Sequence, residues 1–145
     1  MFGHSAGGQI LHRFALFGAS DRANRLIAAN SGWYTLPDFG VKFPFGLKQS
    51  PLSKEALYKA FTKNLVIFLG EQDNADETRG HLARNDKLDV QGLHRFSRGK
   101  YFYRQSKAIA EGMNADFAWQ KVHIPDVGHD YRRMSEQAAQ YLYEP

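Results

Sequence analysis

Leu65-Val66-Ile67-Phe68-Leu69-Gly70 is a succession of five large apolar residues closed by a glycine. A run of that length, without polar alternation, predicts a strand buried on both faces, the kind found in parallel sheets. Helical patterning flanks it. Upstream, Ser53 to Lys63 predicts a helix, with Ser53 suited to cap, Glu55 to the positive end of the dipole, and Leu57, Ala60 and Phe61 to one apolar face. Downstream, Tyr101 to Met113 aligns Phe102, Ser106, Ile109 and Met113 at the helical period.

Farther out the alternation continues. Residues 25 to 30, Arg-Leu-Ile-Ala-Ala-Asn, form a short apolar run bounded by Ser31-Gly32, a second buried strand. Residues 6 to 18 put Ile10, Phe14 and Phe17 beside Leu11 on a helix that stops at Gly18. Phe117 to Ile124 reads as a third strand and Tyr131 to Tyr143 as a closing helix. Such alternation predicts the α/β class, a parallel sheet with helices on both faces. Two stretches, 32–52 with its Pro, Gly and aromatic residues and the polar 71–99, read as irregular excursions. Together the 145 residues suit a single domain.

Composition narrows the chemistry. An apolar content of 43% with 14% aromatic residues is enough for a packed core. Nineteen Lys and Arg against fifteen Asp and Glu give +4, spread along the chain without a block or stripe, so no nucleic-acid groove is indicated. The lack of cysteine excludes disulfides, thiolate metal sites and a thiol nucleophile. No apolar run reaches the length of a membrane span, and no membrane role is expected.

Three points carry reactive residues. Gly3-His4-Ser5-Ala6-Gly7 fits G-x-S-x-G, in which a sharp strand-to-helix turn presents a serine hydroxyl above a sheet. Gly3 and Gly7 are expected to relieve crowding around that turn, and the Ala6 backbone N–H to face a developing oxyanion. A blander reading has the glycines only easing a helix start. Gly70-Glu71-Gln72-Asp73 follows the strongest strand, where functional groups of open α/β sheets gather. Asp73 is the preferred acid and Asp76 the competitor, since Asp73-Asn74-Ala75-Asp76 also suits a polar turn. Pro125-Asp126-Val127-Gly128-His129-Asp130 follows the last strand, and His129 is the histidine selected by position. His123 and His129 lack the carboxylate spacing of a metal site, so no metal is expected. Trp33, Tyr34, Phe43 and Phe45 either line a substrate pocket or anchor their loop to the core.

With Gly-His-Ser-Ala-Gly, Leu-Gly-Glu-Gln-Asp and Val-Gly-His-Asp in register with strands, and the order Ser, Asp, His, the sequence resembles the α/β-hydrolase family. Leu-Gly-Glu-Gln-Asp and His-Arg-Phe-Ser-Arg-Gly are similar to carboxylesterase-like and polyhydroxyalkanoate-depolymerase-like bacterial members. The resemblance implies a serine hydrolase acting on a carboxylic ester or related acyl compound through an acyl-enzyme. In it Ser5 is the nucleophile, His129 the base, Asp73 the orienting acid and Ala6 an oxyanion donor, without a cofactor. It also implies that this is the C-terminal part of the fold, with the strands before the elbow missing. Targeting is then unreadable, a cytoplasmic location is the default expectation, activity of the chain alone is expected to be reduced or absent, and the open sheet edge invites self-association. The alternatives are a non-catalytic remnant or binding domain and, more distantly, a basic nucleic-acid module.

Overall fold

The computed structural model describes residues 1–18, 22–74 and 82–143. Among these, strands β1 (Phe2–His4), β2 (Leu26–Ala29), β3 (Leu65–Gly70) and β4 (Gln120–Ile124) form one sheet in that order. All pairings are parallel, so the four carboxyl ends meet at one rim. Helices α1 (Ala6–Phe17), α2 (Lys54–Phe61), α3 (Asp86–Asp89) and α4 (Arg95–Gly112) lie between strands, and α5 (Tyr131–Tyr143) follows the last one.

Strand alternation sorts the core into two layers. Leu26 and Ala28 of β2 and Leu65, Ile67 and Leu69 of β3 face a cluster built with Leu11, Ala15 and Leu16 of α1, Leu57 and Phe61 of α2 and Phe102 of α4. Ile27, Ala29, Val66 and Phe68 face the other way, onto Met134 and Ala138 of α5. Helices therefore cover both faces. Every β3 residue is buried, as its unbroken apolar run requires. Fully burying side chains of this size contributes about 1.5–3 kcal/mol each.

Some boundaries differ from the sequence reading. Helix α4 starts at Arg95 rather than Tyr101, because the His94 ring caps it by accepting the Ser97 N–H at 3.1 Å while Ser97 Oγ accepts the His94 N–H. With α3, this makes the stretch 71–99 only partly irregular. Strand β4 starts at Gln120 rather than Phe117, since Phe117 and Trp119 turn into the first cluster. Trp119 Nε1–H donates to the Ala60 carbonyl there at 2.9 Å.

The stretch 32–52 contains no named helix or strand, but much of it is not surface. Tyr34, Thr35, Leu36 and Leu47 are buried. The Gln91 amide accepts the Tyr34 N–H at 3.0 Å and donates to the Tyr34 carbonyl at 2.8 Å. Arg98, fully buried, donates to the carbonyls of Gly32 at 2.7 Å and Gly92 at 2.8 Å. Buried loop backbone must find partners, and these two side chains supply them. No helix among the described residues is long and apolar enough to cross a membrane.

Candidate active site

Ser5 is the single residue between β1 and α1, held at φ 55° and ψ −113°. That conformation is costly for a residue with a side chain and persists only when its surroundings enforce it. The Ser5 N–H donates to the Ala29 carbonyl at 2.9 Å, and its own carbonyl accepts from Gln9 at 3.1 Å. The hydroxyl makes no capping bond to the helix. Ala6 opens α1, so its N–H has no acceptor within the helix.

The glycines around the turn have unequal roles. A Cβ on Gly3 would sit 2.5 Å from the Gly7 carbonyl oxygen. A Cβ on Gly7 would meet nothing within 4 Å, which corrects the expectation that Gly7 relieves a clash of its own. It is the Gly7 backbone, not its missing side chain, that crowds Gly3. Gly8 is the second constrained position, since a Cβ there would lie 2.5 Å from Ser31 Oγ and 2.7 Å from the Ala29 carbonyl oxygen.

Asp73 lies in the turn after β3, its N–H donating to the Gly70 carbonyl at 3.1 Å and its carbonyl accepting from Phe96 at 3.0 Å. Only 6% exposed, its carboxylate meets His129 Nδ1 at 2.7 Å through Oδ2 and the buried Arg95 Nη1 at 3.7 Å through Oδ1. A carboxylate oxygen accepts, so Nδ1 carries the proton and the neutral ring keeps its lone pair on Nε2. The loops after β3 and β4 are themselves joined, Glu71 N–H to the Ile124 carbonyl at 3.0 Å and Gln72 N–H to the Val127 carbonyl at 2.9 Å. Asp130 closes the second loop by accepting the N–H groups of Arg132 and Arg133 at 3.0 and 3.2 Å, starting α5.

His4, next to Ser5, packs its ring on His129 with centroids 4.5 Å apart. Burial, with the His129 ring beside it, pushes the His4 pKa down from 6.5 to about 4. His4 is therefore neutral near pH 7, and its ring sets no charge against that of His129. Ser5, Asp73 and His129 all follow carboxyl ends of strands at one rim. Asp76 lies outside the described residues. Glu71 stands 3.4 Å from His123 Nδ1.

The four aromatics proposed as a pocket separate. Tyr34 is a core residue, fully buried and stacked on Phe102 at 4.5 Å between centroids, which removes it from any substrate wall. Trp33 packs against Phe45 and under the Arg13 guanidinium, 4.3 Å from its ring centroid. Phe43 is 42% exposed and meets Phe17 edge-on.

Solved structures share this fold. Poly(aspartic acid) hydrolase-1 from Sphingomonas sp. KT-1 superposes with a TM-score of 0.93 at 40% identity, over 99% of this chain and 54% of that one. The chain has the α/β-hydrolase fold. LpqC, a poly(3-hydroxybutyrate) depolymerase from Bordetella parapertussis, matches with a TM-score of 0.93 at 34% identity, over 99% of this chain and 48% of LpqC. The chain thus spans about half the length of these hydrolases and corresponds to a C-terminal portion of the fold. No protein-family model matches it, and no curated protein does.

Sequence reasoning missed Asn30 and Arg95. Asn30 was legible as a polar residue closing a buried strand at the rim, a place where polar groups need a reason. Arg95 carried no comparable signal, because its burial beside Asp73 follows from where α4 begins.

Proposed function

We propose that this α/β-hydrolase chain belongs to a serine hydrolase that cleaves a carboxylic ester or related acyl linkage through an acyl-enzyme. The observation that carries the reading is the His129–Asp73 contact of 2.7 Å at the rim where Ser5 is held at φ 55°. The names of the two solved hydrolases support it, one acting on poly(aspartic acid) and the other on poly(3-hydroxybutyrate). Amide and ester backbones share an acyl carbon open to the same attack.

In this reading Ser5 Oγ attacks the acyl carbon as His129 Nε2 takes its proton. Asp73 holds the imidazole in that tautomer and stabilises the imidazolium. The Ala6 N–H donates to the tetrahedral oxyanion, a contribution of about 2.7–4 kcal/mol per donor in comparable sites. Collapse expels the alcohol or amine with the proton from His129. Water, deprotonated by the same ring, then releases the acid and restores Ser5.

The test compares the protein with its Ser5→Ala variant. Hydrolysis of p-nitrophenyl butyrate and covalent labelling by a fluorophosphonate are both expected in the parent and absent in the variant. Equal turnover or equal labelling in the two proteins overturns the reading in favour of a binding domain.

A further inference from the structure

Asn30 ends β2 and lies fully buried in the middle of the rim, with φ 43°, a left-handed conformation that asparagine tolerates. Its own N–H donates to the Phe68 carbonyl at 3.0 Å. The side chain reaches across the end of β3. Oδ1 accepts the Gly70 N–H at 2.9 Å, and Nδ2 donates to the Gly128 carbonyl at 3.0 Å. The amide orientation is fixed by its partners, since an N–H can only donate and a carbonyl only accept. Nδ2 also stands 3.5 Å from His4 Nε2.

Each of these contacts adjoins a residue of the candidate site. Gly128 precedes His129, His4 precedes Ser5, and Gly70 accepts the turn bond from the Asp73 N–H. On the serine-hydrolase reading, we propose that Asn30 is a positioning residue whose single amide sets the spacing of the His129 loop and the Asp73 turn against the Ser5 elbow. Few other side chains satisfy the requirement. Aspartate keeps the acceptor for Gly70 but turns an oxygen onto the Gly128 carbonyl, and leucine of similar shape leaves both backbone groups without the amide. The Gly128 carbonyl is the sensitive partner, because a displaced loop moves the imidazole. Misplacement of a reacting group by about 1 Å costs on the order of 100-fold in rate.

The test uses Asn30→Asp, and Asn30→Gly as the variant that keeps the backbone conformation free of strain. Both are compared with Leu57→Ala, which destabilises a buried α2 position away from the rim. Thermal midpoint, kcat and KM on p-nitrophenyl butyrate, and the low-field proton NMR signal of the His129 Nδ1–H are measured for each. The expected result is a kcat lower by about 10- to 100-fold, KM within about twofold, and a shifted or broadened Nδ1–H signal in both Asn30 variants. Leu57→Ala is expected to lower only the midpoint. Parent-like kcat with an unmoved signal in a folded Asn30 variant overturns the proposal, and so does failure of both variants to fold, which would make Asn30 a folding residue. Failure of the hydrolase reading is distinguishable, because it appears in the parent and Ser5→Ala, while the NMR signal reports on Asn30 without turnover.

Discussion

His12 is enclosed between two backbone groups of opposite demand. Its Nδ1–H faces the Gly8 carbonyl at 3.2 Å, and Nε2 accepts the Thr35 N–H at 2.9 Å. Only the neutral ring serves both. Burial, with Arg13 next to it, lowers its pKa from 6.5 to about 3. The sign follows: between those values the unfolded chain binds a proton that the native chain refuses. Stability is thus fully retained above pH 6.5 and is lost as pH falls from there toward 3, by about 1.4 kcal/mol per pH unit. Urea unfolding at pH 6.5 and pH 5 checks this: His12→Gln is expected to lose about 2 kcal/mol less across that interval than the parent. At the rim, Asp73→Asn replaces an acceptor facing His129 with a group that can present an N–H, which favours the wrong tautomer. A fall in kcat of about 10⁴-fold is expected with the fold retained, measured as ester turnover beside circular dichroism.

At the scale of elements, the strands announce themselves more clearly than their neighbours do. β3 is legible because each of its side chains is buried, so residue type and environment agree position by position. α5 is legible because Met134 and Ala138 supply the buried stripe on an otherwise polar helix. The start of α4 is hidden. It buries Arg95, Arg98 and Gly99, types that ordinarily mark surface or loop, and its cap is a histidine. The close approach of β3 to the His129 loop is likewise invisible in pattern. A Cβ on Gly70 would stand 2.5 Å from the Val127 carbonyl oxygen and 3.0 Å from that of Gly128. Gly70→Ala is accordingly expected to cost about 1–3 kcal/mol and to depress kcat more than Gly7→Ala, whose Cβ meets open space. Chemical denaturation with parallel kinetics separates the two.

At the scale of the molecule, one layer of three longer helices and one of a single helix enclose the sheet, and its outer strands differ from its inner ones. β2 and β3 are paired on both sides, while β1 and β4 each have one partner among the described residues. Open strand edges template pairing with further chain. Ile10 of α1, 65% exposed, adds apolar surface on a helix that packs against both β1 and β2. We therefore expect sedimentation velocity to show mass rising with protein concentration, and Ile10→Lys to shift the distribution toward monomer. A concentration-independent monomer in the parent would remove edge association. Hydrogen exchange is expected to be slowest in β3 and faster in β4, following the number of partner strands.

The sequence by itself determined the layered α/β class, the run of β3, the strained turn at Ser5 and the ordering of Ser5, Asp73 and His129. Those features are local: each is written in spacing, residue type or position after a strand. Tertiary structure alone decided that Tyr34 is core, that Gly8 rather than Gly7 shares the steric constraint with Gly3, and that Arg95 stands beside Asp73. It alone placed Asn30 across three chain segments. These depend on which side chains meet across the sheet, and a contact between residues 30 and 128 leaves no trace in the pattern around either one.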